Sequence, residues 1–169
     1  MKIYKSEIMI SFDEAYEIVM NSAVTTGTES VSFIESLGRI LAEDIRSDMD
    51  MPPFNKATVD GFACRKDDLS DELEVLETIA AGMTPGKVIS EKQCSRIMTG
   101  APLPEGAQVV FMVEDSVILP SGKVKFTGSL IKENVAVKGE DIVAGDTVLK
   151  KGQLIRPQEV AVMASVGCT

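Results

Sequence analysis

Histidine and tryptophan are absent from this chain of 169 residues, and aromatic side chains make up only 5% of it. Without histidine, the sequence lacks the commonest general base and the commonest transition-metal ligand, which excludes a Ser-His-Asp triad. The cysteines are few and far apart, and no C-x-x-C pair occurs, so zinc and redox motifs are excluded as well. They are Cys64, Cys94 and Cys168. Aliphatic side chains must therefore build the core.

Positive charge is also scarce, because 17 lysines and arginines face 26 acids and the net charge is −9. No basic run is present, so we expect no nucleic-acid partner. The common glycine-rich nucleotide loops, G-x-G-x-x-G and G-x-x-x-x-G-K-[ST], are missing. No apolar run reaches membrane-spanning length, and acids interrupt the N-terminal one, so we expect neither a membrane span nor a signal peptide. The isolated cysteines fit a reducing compartment, and we expect a cytoplasmic protein.

The sequence predicts a helix near each end of the chain. Ser11 and Glu14 form a capping box, S-x-x-E, at the start of the first helix. Apolar residues then recur at helical spacing, and we expect them to pack in the core: Phe12, Ala15, Tyr16, Val19, Met20 and Ala23. In the second helix Pro157 suits the first position and Gly167 the exit, although Arg156 is a weak N-cap.

Between the helices the sequence favours β-structure. Residues 30–33 predict a short strand and residues 37–42 a helical turn, after which short apolar runs alternate with turn residues. The predicted strand regions are LEVLETIAAG, GKVIS, CSRIMTG, AQVVFMVED, SVILPSGKVKFTG, NVAVKGEDI and DTVLKKGQLI, with a hairpin turn at LPSGKV. This order predicts a β-rich α+β fold. A partly helical module of residues 1–50 and 140–169 would carry an inserted barrel-like or coiled-sheet β domain, residues 51–139.

Three glycine-bearing turns expose polar groups between apolar runs. Their polar and glycine residues are Asp60 in TVDGF, Thr99 and Gly100 in RIMTGAPLP, and Gly139, Glu140 and Asp141 in VKGEDIVAGD. Carboxylates, a hydroxyl and glycine amides suit a magnesium–phosphate site, since Mg²⁺ prefers oxygen ligands and takes one or two carboxylates. Each turn alone is equally typical of an ordinary solvated loop, and Asp-Gly is a common turn dipeptide.

The three turns and their surroundings resemble the N-terminal half of the molybdopterin molybdenumtransferases, the MoeA-type family that includes the E domain of gephyrin. Nearly the whole chain shares the likeness, which is carried by PPFNKATVDGFACR, RIMTGAPLPEGAQVVFMVED and NVAVKGEDIVAGDTVLKKGQLIRPQEVAVMASVG. The resemblance implies an enzyme that inserts molybdate into adenylylated molybdopterin with Mg²⁺ and releases AMP. It also implies an elongated homodimer, with the module of both chain ends at the dimer contact. The molybdopterin adenylyltransferase is a further candidate partner.

The same resemblance assigns roles to the residues of the three turns. It implies the catalytic residues Asp60, Thr99 and Asp141, of which both acids would bind metal, and the cofactor-binding residues Gly100, Gly139 and Glu140. Some positions depart from the family's usual pattern. Ala57 lacks a frequent serine hydroxyl, Phe62 replaces a tyrosine and Ala136 replaces an arginine, so that Lys138 is the nearby cation.

The resemblance further predicts an α/β pterin-binding domain after residue 169, because the chain stops at a helix and turn typical of a domain boundary. The 169 residues alone are therefore expected to be inactive and to bind molybdopterin species weakly. Two other interpretations stay open. One is a non-catalytic dimerising or regulatory module that partners a complete insertase. The other is a purely structural β module, suggested by AGDTVLKKG.

Overall fold

The computed structural model describes residues 10–24, 26–129 and 132–168, which fall into two units that divide after Val31. The first unit contains helix α1 (Phe12–Ser22). At its start the Glu14 N–H donates to the Ser11 hydroxyl at 3.2 Å, and the Ser11 N–H donates to the Glu14 carboxylate at 2.9 Å. The predicted capping box is confirmed.

The apolar stripe of α1 is exposed, so the prediction that it packs in the core is wrong. None of the helix residues is buried, and Phe12 and Val19 are 82% and 67% exposed. Helical periodicity shows that one face is apolar, but it does not show what covers that face. Among the described residues of the first unit, α1 is the sole helix or strand, so no second element of that unit covers the stripe.

The second unit contains all ten described strands and a second helix. The strands are β1 (Ile45–Arg46), β2 (Lys56–Ala57), β3 (Gly61–Cys64), β4 (Glu72–Ile79), β5 (Gln93–Ile97), β6 (Val109–Met112), β7 (Ser116–Ile118), β8 (Val124–Phe126), β9 (Val135–Ala136) and β10 (Thr147–Leu149), and the helix is α2 (Pro157–Ser165). Six strands form one sheet in the order β6-β3-β5-β4-β8-β7, which curls into a half barrel. The predicted β-rich α+β class and the β7–β8 hairpin are confirmed.

Strand β3 is an interior strand that is buried on both faces. It pairs antiparallel with β5 on one side and β6 on the other. Successive side chains of a strand point to opposite faces, so Phe62 and Cys64 enter one hydrophobic cluster while Ala63 enters another. Aliphatic residues such as Leu73 and Ile97 fill most of these clusters. The expected aliphatic core is therefore present, and β3 lies at its centre.

The two ends of the second unit pack together in a third cluster. Strand β1 pairs with β10, and Leu41, Leu149, Ile155 and Met163 form the buried centre of this cluster. Helix α2 begins at Pro157 as predicted, and no side chain of its N-cap accepts a helix N–H. Residues near 40 therefore pack against residues near 150, and this part of the fold is built from distant parts of the chain. The bounds of the inserted domain stay a prediction.

Three local predictions are wrong, two of them because a distant group takes up the backbone hydrogen bonds. No strand forms over residues 30–33, because residues 30–32 are irregular and residues 33–36 form a 3₁₀ helix. Residues 38–41 are bonded to 153–155, with the Leu41 N–H donating to the Gln153 carbonyl at 2.9 Å, and are not helical. GKVIS is not a strand, because the Gly86 and Lys87 N–H groups donate to the carboxylate of Glu77.

The cysteines are free thiols in the structure. Cys64 and Cys94 lie opposite each other on β3 and β5, and both are fully buried. Burial raises the pKa of each of these two thiols to about 12. These two cysteines are therefore small buried side chains and not nucleophiles, whereas Cys168 is only partly buried. Neither helix in the described part of the chain combines the length and the apolar character that crossing a membrane requires.

Candidate functional site

The three polar turns lie along one segment, residues 50–60, which we call the central segment. On one side, the Gly100 N–H donates to the Ala57 carbonyl at 2.8 Å. On the other side, β2 pairs with β9, and the Gly139 N–H donates to the Pro52 carbonyl at 2.9 Å. The central segment therefore runs between the turn that carries Thr99 and the loop that carries Asp141. The three motifs found in the sequence are neighbours in the fold.

The carboxylate of Asp60 is bound by Thr99. Asp60 Oδ1 accepts the Thr99 backbone N–H at 2.7 Å and the Thr99 hydroxyl at 2.6 Å. These bonds, the hydroxyl first, lower the pKa of Asp60, and the charge of Arg96 adds a smaller contribution. Asp60 is exposed, and Oδ2 accepts no hydrogen bond from the described residues. The protein thus binds Oδ1 of the ionised carboxylate, whereas Oδ2 is available to a ligand.

Asp60 and Thr99 meet because two antiparallel strands end at the same edge of the sheet. Asp60 directly precedes β3, and Thr99 lies two residues after β5. At the same edge the Val113 N–H, just after β6, donates to the Asp60 carbonyl at 3.1 Å. Backbone bonds on one flank and side-chain bonds on the other therefore hold Asp60 in place.

Glycine is required on both sides of this contact, for different reasons. A Cβ at Gly61 would lie 2.0 Å from the Phe111 carbonyl oxygen, so β3 and β6 approach too closely for any side chain. The Asp-Gly pair thus opens an interior strand and is not the turn that its composition predicts. Gly100 has φ of +83° at the third position of a turn closed by the Ala101 N–H and the Met98 carbonyl at 3.0 Å. This φ is typical of a type II turn.

The loop of residues 137–144, here called the Asp141 loop, lies against the start of the central segment. The Asp141 N–H donates to the Met51 carbonyl at 2.9 Å, and the Asp141 side chain is exposed without a hydrogen bond to the described residues. The Glu140 carboxylate accepts the Val137 N–H at 2.8 Å and so closes the turn around Gly139, whose φ is +73°. Asp141 is presented to solvent, whereas Glu140 is engaged within its own loop.

The arrangement fits a divalent cation through single carboxylates rather than through a cage. Within residues 10–24, 26–129 and 132–168, no three acids or cysteines are grouped so that they could hold a metal ion. Asp60 ends the central segment, and Asp141 is bonded to its start. Mg²⁺ is commonly held by one or two carboxylates, with water and substrate oxygens completing its shell. The free oxygen of the ionised Asp60 fits that kind of ligand.

Two contacts of the Asp141 loop were not found from the sequence. Asp50 Oδ1 accepts the Ala144 N–H at 2.9 Å, and Asp50 Oδ2 is 3.3 Å from Lys138 Nζ. The Ala144 bond, and then the bond from Lys138, lower the pKa of Asp50. Lys138, named above as the nearby cation, is therefore ion-paired. An acid two residues before the first proline of the PPFNKATVDGF motif was the signal for this anchor.

The hydrogen bond from the Thr99 hydroxyl to Asp60 leads to a testable prediction. In Thr99→Val, the pKa of Asp60 should rise towards its ordinary value of 3.8 but stay lowered, because the backbone N–H remains. Thr99→Ser should keep the low value. A lowered pKa stabilises the fold above the unfolded value of 3.8 and loses that effect as pH falls through the folded value. NMR titration of the Asp60 carboxyl carbon measures this, and an unchanged pKa in Thr99→Val would contradict it.

Comparison with known proteins connects these features to one family. The family described as the MoeA N-terminal region (domain I and II) matches residues 10–167. The molybdopterin molybdenumtransferase of Staphylococcus epidermidis ATCC 35984 is 40% identical over 170 residues, covering 95% of this chain and 40% of that protein. The enzyme of that name from Staphylococcus aureus MRSA252 is 38% identical, covering 94% and 39%.

A solved structure agrees with the sequence relatives. The crystal structure of the molybdopterin biosynthesis moeA protein from Pyrococcus horikoshii OT3 has a TM-score of 0.85 at 32% identity, covering 95% of this chain and 44% of that one. The chain thus spans about two fifths of the length of the relatives it matches. Together with the three motifs along the central segment, these matches show that the chain belongs to the MoeA N-terminal region family, and that it corresponds to the N-terminal part of the molybdopterin molybdenumtransferases.

Proposed function

We propose that the native protein carrying this chain inserts molybdenum from molybdate into adenylylated molybdopterin and releases AMP. The observation that carries this proposal is the Asp60 carboxylate, ionised and held through one oxygen by Thr99, at the meeting point of family motifs. Membership of a family whose relatives are named molybdopterin molybdenumtransferases supports the substrate class.

In this proposal Asp60 contacts the ligand and Thr99 orients Asp60. The Thr99 hydroxyl donates its proton to Asp60, so it can meet a substrate only as an acceptor. A phosphate oxygen needs a donor, and the Thr99 N–H is also bound to Asp60. In this proposal Thr99 therefore positions Asp60 and does not itself contact an oxyanion of the substrate.

The three residues predicted to bind cofactor would shape its binding surface without donating or accepting a hydrogen bond to it; they are Gly100, Gly139 and Glu140. The N–H groups of Gly100 and Gly139 are bound to the central segment, and the Glu140 carboxylate is bound to its own loop. The glycines would instead allow a ligand to approach the backbone closely. Asp141 has an exposed carboxylate and is the second candidate ligand.

We infer that Asp60 and Asp141 would hold Mg²⁺ together with water and substrate oxygens. When bound, Mg²⁺ supplies Lewis-acid stabilisation of charge at the phosphoanhydride. The role of this chain is to keep Asp60 ionised and oriented, which the two bonds from Thr99 accomplish.

We further infer that the native protein is a cytoplasmic homodimer in which an α/β pterin-binding domain completes the site. The relatives are about two and a half times as long as the matched part, which leaves room for such a domain. The apolar face of α1 offers surface for a dimer contact, and the free cysteines suit a reducing compartment. The molybdopterin adenylyltransferase, which would supply the adenylylated substrate, is the candidate partner.

The proposal is tested by giving the native protein molybdate, adenylylated molybdopterin and Mg²⁺. We expect AMP release that depends on molybdate, together with molybdenum bound to the pterin product. The 169-residue chain alone should give neither. If the native protein releases no AMP and transfers no molybdenum under these conditions, the proposal fails, and a non-catalytic module that binds a complete insertase takes its place.

A further inference from the structure

Asn55 connects the central segment to both neighbouring loops. Its backbone carbonyl accepts the Leu103 N–H at 2.8 Å, on the side of the Thr99 turn. Its side-chain Oδ1 accepts the Lys138 N–H at 2.8 Å, on the side of the Asp141 loop. Asn55 is therefore bonded to both loops, five residues before Asp60.

The side-chain bond of Asn55 is placed where it controls the start of the Asp141 loop. Lys138 directly precedes Gly139, whose left-handed φ reverses the chain towards Asp141. The rest of the loop is bonded to Met51, Pro52 and Asp50. Lys138 N–H donates to no other described acceptor, so without the Asn55 oxygen this N–H would turn to solvent.

We propose that Asn55 is a positioning residue for the proposed transfer reaction, because its side-chain bond to Lys138 sets the Asp141 loop relative to Asp60. This inference rests on the proposed function. Asn55 is exposed and touches neither carboxylate through a hydrogen bond, so it would act through the loop and not on the substrate. A shift of about 1 Å in a group that positions substrate can lower a rate by about a hundredfold.

The substitutions Asn55→Ala and Asn55→Asp separate this role from general stability. Alanine removes the acceptor, whereas aspartate keeps an oxygen at the same position, and both leave the backbone bond to Leu103. Gln158→Ala is the matched control, since Gln158 is an exposed amide on α2. The native protein is used throughout, with hydrogen exchange of peptides covering residues 137–144 and steady-state transfer of molybdenum.

We expect Asn55→Ala to raise exchange in residues 137–144 by about tenfold, as the loss of one such bond implies. The kcat of transfer should fall by about ten- to a hundredfold with a smaller change in KM for adenylylated molybdopterin. Asn55→Asp should restore both, and Gln158→Ala should change neither.

Three other results would overturn the inference. If Asn55→Ala transfers molybdenum like the unaltered protein, Asn55 has no positioning role and the proposed function stands. If Asn55→Asp shows normal hydrogen exchange in residues 137–144 but not the normal rate of transfer, the bond to Lys138 is not the cause of the lost activity. If the unaltered protein itself transfers no molybdenum, both the proposed function and the positioning role of Asn55 are wrong.

Discussion

Asp60→Asn in the native protein is expected to lower kcat/KM for molybdenum transfer by about a hundredfold or more, with little change in stability. Asparagine has nearly the shape of aspartate and keeps an oxygen that accepts both bonds from Thr99. The substitution therefore removes the charge and leaves the local geometry. Because the other carboxylate oxygen is the one left for a cation or substrate, loss of charge should weaken that contact directly. AMP release that depends on molybdate measures the effect.

Asp67→Asn provides the matched control for Asp60→Asn. Asp67 lies in the 3₁₀ helix Lys66–Asp68 that follows the other end of β3, and its side chain is 84% exposed. The same change of charge, placed beyond the opposite end of β3, should leave transfer unaltered. Equal activity of Asp60→Asn and the unaltered protein would remove Asp60 from the proposed site. Equal losses in both variants would point to net charge instead.

The helices show where sequence patterns were sufficient. A capping box depends on residues three apart, so Ser11 and Glu14 could be recognised without any tertiary contact. Burial of the α1 stripe depends on what lies opposite it, which periodicity does not contain. The failed strand at GKVIS has the same origin, since the carboxylate of Glu77, nine residues before Gly86, takes up its backbone N–H groups.

The motifs of the site could be predicted from the sequence, but the hydrogen bonds that bring them together could not. Asp60, Thr99 and Asp141 were recognised because their three motifs together resemble one family, whereas each turn alone is typical of an ordinary loop. They are neighbours because β2 pairs with β9 and because both loops are bonded to the central segment, between residues about 40 to 90 positions apart. Long-range pairing of this kind leaves little trace in local sequence. The bonds that Asp50 and Asn55 make to the Asp141 loop are therefore seen only in the fold.

Gly61→Ala is expected to lower the free energy of unfolding by about 3 kcal/mol or more, or to prevent folding of the β domain. The added Cβ would lie 2.0 Å from the Phe111 carbonyl oxygen, and a backbone atom cannot yield as a flexible side chain does. Relief requires β3 and β6 to separate, which opens the cluster that contains Phe62. Urea unfolding followed by far-ultraviolet circular dichroism measures the loss.

Gly100→Ala distinguishes this steric cause from the general cost of replacing a glycine. At Gly100 no atom lies within 4 Å of the added Cβ, and the penalty comes only from its φ of +83°. We expect a loss of about 1 kcal/mol there, the usual cost of a left-handed conformation for alanine. A similar small loss for Gly61→Ala would mean that the two strands can move apart freely. In that case β3 would not be the rigid support that fixes Asp60 beside Thr99, and the close approach at Gly61 would have no part in shaping the site.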